Sequence, residues 1–251
     1  MTARWRTAWI TGASTGIGRE LALLLAGQGV RVAASARGAE KLAELAQLSR
    51  SIMPVPVDVT DADAVVQAHA RIVAELGPID LAVLNAGVWD PMGAEDYAAL
   101  RAVQSMTVNY IGIANALQPL LAEMIARRGG HVALVASVAG YRGLPKAAAY
   151  APSKAAVISL AEVLRPDLAR HDVKVSLINP GFVETPMTAV NRFPMPFMII
   201  APEAARRIVR GLEMGKFEIA FPWQLVGMLK LLRVLPYPLY FSVARRLLAK
   251  A

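Results

Sequence analysis

The sequence contains no cysteine among its 251 residues and only three histidines, His69, His131 and His171, which lie far apart. Without cysteine there can be no disulfide, no thiol nucleophile and no cysteine-ligated metal. Three scattered histidines also argue against a histidine-based metal site. We therefore predict no metal site, and the chemistry of the chain has to come from other side chains or from a bound cofactor.

A signal segment and a long uncharged run are also missing. The N-terminus reaches an apolar strand and a glycine turn by residue 12, which leaves no room for a cleavable signal. Residues 223–251 are the most apolar region, but Lys230, Arg233, Pro236 and Pro238 interrupt them. Spanning a bilayer takes about 20 apolar residues, so this region is not predicted to span one. We expect a cytoplasmic protein.

Acidic residues are absent after Glu218, although the chain as a whole carries a net charge of +8. Five basic residues follow that position, namely Lys230, Arg233, Arg245, Arg246 and Lys250. Because these cations lie among leucines and not along a polar face, a nucleic-acid partner is not predicted.

Residues 223–251 are predicted to form an amphipathic helical tail whose circumference is mostly apolar. Three interpretations of this apolar surface stay open. It suits packing over the substrate cleft, packing against a second subunit in a homodimer or homotetramer, or contact with a membrane surface. In the last case the cytoplasmic protein would be peripherally membrane-associated.

Seven β-rich apolar runs alternate with helix-period segments along the rest of the chain. They are T-A-W-I, V-R-V-A-A-S, I-M-P-V-P-V, L-A-V-L, H-V-A-L-V-A, V-K-V-S-L-I and F-E-I-A-F. Nearly continuous apolar runs are typical of parallel strands that helices cover on both faces. The pattern predicts an α/β fold, a Rossmann-type doubly wound parallel sheet of about seven strands, in one domain over residues 1–222.

The first predicted strand leads directly into T-G-A-S-T-G-I-G, residues 11–18, and then into a helical segment. Glycines allow a tight turn and a close approach of the backbone, and the N-terminus of a helix offers free N–H groups to a phosphate. The loop is therefore predicted to bind the pyrophosphate of a dinucleotide. The residues proposed for this role are Gly12, Ser14, Thr15, Gly16, Ile17 and Gly18.

The end of the second strand distinguishes the two nicotinamide dinucleotides. An acid at this point binds the ribose hydroxyls of NAD, whereas an arginine accommodates the 2′-phosphate of NADP. Here Ala36 occupies the position of the acid and Arg37 follows it. We predict NADP(H), with Arg37 as a cofactor-binding residue.

The chain resembles the short-chain dehydrogenase/reductase family in its ordinary single-domain form, over residues 6 to about 221. The resemblance consists of several motifs in order along the chain. They are T-G-A-S-T-G-I-G at 11–18, D-V at 58–59, N-A-G at 85–87, Asn109 in T-V-N-Y, Ser137 in V-A-S-V-A-G, Y-A-P-S-K at 150–154 and P-G-F-V-E-T at 180–185.

The resemblance implies further cofactor contacts. Asp58 and Val59 would flank the adenine, and Asn85, Ala86 and Gly87 would line the cofactor cleft. Four residues after the sixth strand would hold the nicotinamide carboxamide and the phosphates, namely Pro180, Gly181, Val183 and Thr185. Lys154 would also bind the ribose, so that Tyr150 and Lys154 border the cofactor as well as the substrate.

Tyr150 and Lys154 are the predicted centre of the reaction. A ketone that becomes an alcohol needs a proton, and a tyrosine with a pKa near 10 needs help to exchange one at neutral pH. A lysine four residues later lies on the same helix face, and its charge favours the phenolate. Ser137, at the end of the fifth strand, is expected to orient the substrate oxygen. The resemblance assigns Asn109 a structural and proton-relay role.

Two prolines bear on the helix that carries these residues. Pro152 fits a helix that begins near Tyr150, because a proline in the first turn breaks no internal hydrogen bond. Pro166 lies farther along and is expected to kink or interrupt the same helix.

The segment after Thr185 is rich in methionine and proline, in a position where the family carries its substrate-covering loop. Flexible methionines suit a pocket for varied apolar molecules, so we predict an apolar ketone, aldehyde or secondary alcohol as substrate. The alternative is that residues 193–200 pack on the core or at an oligomer interface. Two other functions also stay open, a 3-oxoacyl-carrier reductase and a non-catalytic cofactor-sensing scaffold on the same fold.

Overall fold

A computed structural model describes residues 4–191 and 193–248. Arg192 of the methionine-rich segment and Lys250 of the tail therefore lie outside the described residues. Seven strands form one parallel sheet: β1 (Thr7–Thr11), β2 (Arg31–Ala36), β3 (Ile52–Pro56), β4 (Leu81–Leu84), β5 (Gly130–Val135), β6 (Val173–Pro180) and β9 (Glu218–Phe221). The strand order is β3-β2-β1-β4-β5-β6-β9, which confirms the predicted doubly wound sheet.

Helices connect these strands and cover both faces of the sheet. They are α1 (Gly16–Gly27), α2 (Ala39–Gln47), α3 (Ala62–Leu76), α4 (Ala99–Met106), α5 (Gly112–Ala126), α6 (Tyr150–Ala169) and α7 (Ala201–Glu213). Leu21 of α1 and Ile208 of α7 pack in the core on one face, whereas Ile72 of α3 and Val157 of α6 pack in the core on the other. Two-sided burial explains why the strands have continuous apolar sequences.

Three irregular segments lie near the carboxyl ends of the strands. A π-helical turn, Thr107–Ile111, joins α4 to α5, and a short 3₁₀ turn, Val138–Gly140, follows β5. A two-stranded parallel ribbon of β7 (Val183–Glu184) and β8 (Ile199–Ile200) pins both ends of the segment between them. We call residues 185–198 the lid segment.

Helix α6 begins at Tyr150, as Pro152 indicates. Of the two effects expected for Pro166, a kink or an interruption, the interruption does not occur. The helix continues without interruption to Ala169 with Pro166 inside it. Pro166 and Glu162 are both exposed, so the carbonyl that loses its helical partner, that of Glu162, lies on the side facing water. Water can satisfy this group.

The tail forms two helices, α8 (Trp223–Val234) and α9 (Tyr237–Leu248). Leu225 and Leu229 of α8 are buried in the same apolar core as β5, β6 and α6. Over the described residues, no helix combines the length and the apolar character that crossing a membrane requires. The boundary between a domain at 1–222 and a tail at 223–251 remains a prediction, and the structure adds that α8 packs on the sheet.

Candidate active site

A cleft of about 790 Å³ lies at the carboxyl edge of the sheet, where the loops after β1, β4, β5 and β6 meet. In an open α/β sheet this is the expected place for a ligand. Most of the predicted site residues line it: Gly12, Ser14, Thr15, Gly16, Ile17, Arg37, Asp58, Val59, Asn85, Ala86, Gly87, Ser137, Tyr150, Lys154, Pro180, Gly181, Val183 and Thr185. Gly18 and Asn109, also predicted as site residues, do not line this cleft.

The glycine loop has the backbone shape that a bulky cofactor needs. Gly12 and Gly16 have φ values of 67° and 55°, which favour glycine. A Cβ atom on Gly12 would lie 2.9 Å from the Ala86 Cα, and one on Gly16 would lie 2.9 Å from the Thr185 Cγ2. Any side chain at these positions would fill the space between the loops. The loop therefore fits the pyrophosphate of a dinucleotide, with the first N–H groups of α1 directed toward it.

Gly18 supports this loop from below. It is buried in the first turn of α1, and a Cβ atom there would lie 2.2 Å from the Gly12 carbonyl oxygen and 2.7 Å from the Asn85 Nδ2. The third glycine is thus required for close packing between the helix and the loop, and its predicted contact with the cofactor remains a prediction.

Asn85 joins the loop after β4 to the loop after β1. Its Nδ2 donates to the carbonyl oxygens of Thr11 and Gly12, each at 3.1 Å. In return, the Thr11 hydroxyl accepts from the backbone N–H groups of Asn85 and Ala86, at 2.9 and 3.1 Å. These four bonds fix the separation of the two loops, so the first residue of the Asn-Ala-Gly motif shapes the cleft through its amide.

The rim after β2 is where the predicted NADP-selective residue lies. Arg37 is exposed at this edge of the cleft, and Glu40 and Lys41 of α2 line the same edge. The neighbouring Asp58 carboxylate accepts from the Thr60 N–H at 2.9 Å and from its hydroxyl at 2.8 Å. The backbone hydrogen bond of Thr60 is the largest of the effects that lower the pKa of Asp58, and the charge of Arg37 contributes too. Lys41 was not predicted from the sequence as a site residue, although it is a second basic residue only four positions after Arg37.

Tyr150 and Lys154 lie in the first two turns of α6, beside the end of β5. The Lys154 ammonium donates to the Val135 carbonyl oxygen at 2.9 Å and lies 5.6 Å from the centre of the Tyr150 ring. Burial raises the pKa of Tyr150 to about 12, although the Ser137 hydroxyl opposes the shift. Burial also lowers the pKa of Lys154 to about 8. Burial is thus the main influence on both side chains, and it disfavours the charged form of each.

Ser137 directly follows β5 and caps the short 3₁₀ turn. Its hydroxyl accepts from the Ala139 N–H at 3.1 Å and donates weakly to the Pro180 carbonyl oxygen at 3.4 Å. The side chain is buried and lines the cleft together with Tyr150. Because the hydrogen bond that the Ser137 hydroxyl donates is this long one, the hydroxyl can turn toward a substrate oxygen at a small cost in free energy.

Asn109 lies in the π-helical turn beneath the cleft. Its Oδ1 accepts from the Val88 N–H at 2.7 Å, and its Nδ2 donates to the Val88 carbonyl at 3.1 Å and to the Ser153 hydroxyl at 2.9 Å. Ser153 in turn donates to the Tyr150 carbonyl oxygen at 2.7 Å. The side chain is thus a fully buried, hydrogen-bonded amide that connects the loop after β4 to the start of α6. Its Val88 partner lines the cleft, whereas Asn109 itself does not, and its proton-relay role remains a prediction.

Trp89 lies next to Tyr150 and was not predicted from the sequence as a site residue. Its ring meets the Tyr150 ring edge-on at 4.9 Å between centres, and its Nε1 donates to the Asn191 Oδ1 at 2.8 Å. Trp89 therefore connects the tyrosine to the lid segment. Its position two residues after the Asn-Ala-Gly motif indicates that Trp89 is near the cleft. Its hydrogen bond to Asn191 could not be predicted, because the two residues are 102 positions apart in the sequence.

The lid segment is only partly directed into the cleft. Met187 and Thr188 line it, and Phe193 packs edge-on against Phe182 at 6.0 Å. Phe197 and two neighbouring apolar residues, Met198 and Ile200, are 44–51% exposed. The prediction of an apolar pocket and the alternative of packing on the core or at an oligomer interface therefore both stay open for residues 193–200.

Comparison with known proteins identifies the family. The family model described as short chain dehydrogenase matches residues 6–194, three quarters of the chain. The chain belongs to the short-chain dehydrogenase family. It is accordingly an oxidoreductase of a family that uses a nicotinamide cofactor, and the resemblance drawn from the sequence motifs is confirmed.

Relatives within the short-chain dehydrogenase family match most of the chain. A Myxococcus xanthus protein named as an uncharacterized oxidoreductase is 42% identical over 247 residues, covering 97% of this chain and 98% of that protein. A 3-oxoacyl-[acyl-carrier-protein] reductase of Thermotoga maritima is 34% identical over 197 residues, covering 75% of this chain and 78% of that enzyme.

Solved structures of short-chain dehydrogenases have the same fold. One from Burkholderia cenocepacia, in complex with NADP, superposes with a TM-score of 0.83 at 28% identity, covering 96% of this chain and 98% of that chain. Another from Burkholderia phymatum, in complex with NAD, has a TM-score of 0.85 at 23% identity, covering 92% and 94%. The family members thus include complexes with either dinucleotide, and the preference of this chain has to be argued from its own residues.

Proposed function

We propose that this protein transfers hydride between NADP(H) and an apolar ketone, aldehyde or secondary alcohol. The observation that carries the proposal is the convergence of Ser137, Tyr150 and Lys154 on one cleft with the glycine loop. A proton donor, its charged partner and a cradle for a dinucleotide therefore border the same space. These are the parts that reduction of a carbonyl group needs.

The residues around the glycine loop fit a nicotinamide dinucleotide. The loop at 12–18 would hold the pyrophosphate, and Thr185 with Pro180 and Gly181 would border the nicotinamide end. When bound, the nicotinamide supplies or accepts the hydride. The protein then has to orient the substrate and move one proton.

Tyr150 is the proposed proton donor in the reducing direction. Its hydroxyl proton passes to the substrate oxygen while the electron pair of the O–H bond stays on the phenolate. The charge of Lys154 lowers the free energy of that phenolate, and the Ser137 hydroxyl orients the substrate oxygen by a hydrogen bond. In the oxidising direction Tyr150 accepts the proton. Asn109 is proposed to position α6 through Ser153, and the relay role stays a second proposal for it.

The preference for NADP(H) is supported by the charges at the rim after β2. Arg37 and Lys41 border the cleft where a 2′-phosphate would lie, while one acid, Glu40, lies between them in sequence. A phosphate bound by two cations is favoured over a bare ribose hydroxyl. We propose Lys41 as a second phosphate-binding residue.

The apolar substrate class is supported by the side chains beside Tyr150. Val88 and Met187 line the cleft, and Trp89 covers one edge of the tyrosine ring. Such a wall favours a carbonyl group that is attached to hydrocarbon or aromatic groups.

The test is NADPH oxidation, followed by absorbance, with a panel of ketones, aldehydes and steroids. Tyr150→Phe should reduce kcat/KM by on the order of 10²-fold or more, because it removes the proton donor. Tyr97→Phe is the matched control, since Tyr97 is exposed and lies outside the residues that line the cleft. Activity of Tyr150→Phe close to that of the wild type would remove this tyrosine from the mechanism.

A carrier-bound 3-oxoacyl substrate is the second candidate, because the Thermotoga relative is named as a reductase of such chains. The same assay separates the two candidates when a 3-oxoacyl group is offered once on a carrier protein and once as a small thioester. A strong preference for the carrier-bound form over every free ketone would replace the first proposal with this one. Assembly as a homodimer or homotetramer and a cytoplasmic location also remain predictions.

A further inference from the structure

The two tail helices are attached to the body of the protein next to the cleft. Leu225 of α8 lies against Gly181, where an added Cβ atom would come within 2.7 Å of the leucine Cδ2. Lys230 forms an ion pair with Glu218 of β9, and the Glu218 carboxylate also accepts from the Tyr141 hydroxyl at 2.5 Å. One side of α8 is thus committed to packing and pairing within the chain.

Arg142 holds both helices against the turn that follows Ser137. Its Nη1 donates to three carbonyl oxygens at the C-terminal end of α8, those of Leu232, Arg233 and Leu235, at 2.7–3.1 Å. Its guanidinium also lies over the rings of Tyr237 and Tyr240, at 4.9 and 4.1 Å. Tyr240 donates to the Gly143 carbonyl. The orientation of the tail is therefore fixed by these contacts, which leave the Tyr237 ring 68% exposed.

The outer side of the tail is apolar and exposed. We define the tail face by six side chains that are 53–77% exposed, namely Trp223, Leu231, Val234, Tyr237, Leu239 and Phe241. In α8 the three members are spaced at eight and three residues, which places them on one side of the helix. Exposed apolar side chains in such number on two neighbouring helices are characteristic of an interaction site.

Exposed cations lie on the same two helices as the tail face, and acids are absent from this region. Residues 219–251 contain no acid. Within the described part of the chain, Arg233, Arg245 and Arg246 are exposed and form no ion pair. An approaching surface with negative charge would therefore meet both apolar side chains and free cations.

These charges distinguish between the possible occupants. A two-fold interface between copies of this chain would bring the same patch from each copy together. It would bring together two regions that both contain arginines and no acid. An anionic bilayer satisfies both features, because its headgroups attract the arginines and its interface takes up apolar rings.

We propose that the tail face binds the surface of an anionic phospholipid bilayer. Trp223 and Tyr237 would lie at the level of the headgroups, where amphipathic rings are favoured. The protein would lie on the membrane and not cross it, since no described helix is able to span one. Membrane binding does not depend on the proposed reaction, so it can be measured without substrate or cofactor.

The experiment is flotation of the full-length protein with vesicles of phosphatidylcholine alone or mixed with phosphatidylglycerol. The wild type should float with the mixed vesicles, and added salt should weaken its binding. Replacement of the three arginines, R233Q/R245Q/R246Q, should weaken binding by about 100-fold, because each cation contributes about fivefold near an anionic surface. Replacement of three face residues, W223S/L231Q/V234Q, should weaken it by at least about tenfold.

The matched control is L48Q/M214Q, which replaces two exposed apolar residues outside the tail and should float like the wild type. Failure of the wild type to float with either vesicle would overturn the proposal. So would equal flotation with neutral and mixed vesicles, since the arginines would then play no part. Sedimentation without vesicles tests the other occupant. If the wild type does not float, and W223S/L231Q/V234Q sediments as a smaller assembly than the wild type, the tail face binds a second copy of this chain instead of a membrane.

Discussion

The two sides of the cleft are built in different ways. On the cofactor side, Asn85 fixes the glycine loop through bonds to Thr11 and Gly12, and Asn109 fixes the start of α6 through Ser153. On the substrate side, the lid segment connects to the tyrosine through one tryptophan and presents several apolar side chains to solvent. The first side is defined by backbone positions and saturated hydrogen bonds, whereas the second is defined by side-chain volume.

This difference explains which part of the function the motifs carry. Where the backbone must come close to a phosphate or to another loop, few residue types are tolerated, and glycine is the usual one. An apolar wall permits many side chains of similar volume. The reaction class is therefore readable from short motifs, while we expect the substrate to depend on residues such as Met187 and Trp89, which belong to no motif. Each prediction below tests one side of this comparison.

The largest effect is expected for Gly18→Ala on the cofactor side. Its new Cβ would lie 2.2 Å from the Gly12 carbonyl oxygen, so the loop or the helix has to shift. We expect a loss of at least about 2 kcal/mol in the free energy of unfolding and a rise of at least about tenfold in the Kd for NADPH. Urea denaturation and fluorescence titration measure the two quantities.

Gly27→Ala provides the control within the same helix. No described atom lies within 4 Å of the position of its Cβ, so the change should be neutral or stabilise the protein by roughly 0.5 kcal/mol. Equal effects of the two substitutions would contradict the idea that close packing beneath the loop is what requires Gly18.

The next effect concerns Lys154, which is expected to reduce stability while it supports the reaction. Its pKa is about 8 in the folded protein, below the ordinary 10.5, because burial disfavours the charge. The unfolded chain therefore binds more protons between pH 8 and 10.5, and the free energy of unfolding should rise with pH through this window. Lys154→Met should lose most of the activity but gain about 1–3 kcal/mol of stability at pH 7.

This gain should shrink as the pH rises past 8 and vanish above 10.5, where the wild-type lysine is neutral in the folded protein and in the unfolded chain. Thermal unfolding at pH 7 and pH 10 measures it, and Lys216→Met, at an exposed lysine, should change neither value. In the reducing direction, activity of the free enzyme should fall as pH rises through about 8, because Lys154 loses its charge. A stability gain that is independent of pH would argue against a buried charge as its source.

A smaller and more selective effect is expected for Arg37→Ala at the rim. Loss of a charged hydrogen bond to a 2′-phosphate is worth roughly 1.5–3 kcal/mol, which corresponds to a rise of about 10- to 100-fold in the KM for NADPH. The KM for NADH should stay nearly constant, and Lys41→Ala should show a weaker form of the same selectivity. Arg50→Ala, at an exposed arginine outside the cleft, is the control. A wild-type preference for NADH would overturn the NADP(H) proposal.

The strands and the helix start at Tyr150 could be predicted because each depends on local sequence. Continuous apolar runs mark the seven strands, and Pro152 marks the first turn of α6. Pro166 does not interrupt the helix, and the reason is that the carbonyl it leaves without a partner lies on the side facing water. The π-helical turn around Asn109 and the support role of Gly18 depend on what packs beneath the cleft. Sequence spacing alone does not contain this information.

The smallest effect is expected on the substrate side, for the hydrogen bond between Trp89 and Asn191. Trp89→Phe keeps a ring against Tyr150 but loses the Nε1 donor, and Asn191→Ala loses the acceptor. Each should raise the KM for an apolar ketone by about fivefold, the equivalent of one net hydrogen bond of about 1 kcal/mol, and leave kcat nearly unchanged. The double variant should be no worse than either single one, because both changes remove the same bond. Additive effects, or a fall in kcat with constant KM, would mean that Trp89 acts on Tyr150 directly and that this side of the cleft is as tightly specified as the other.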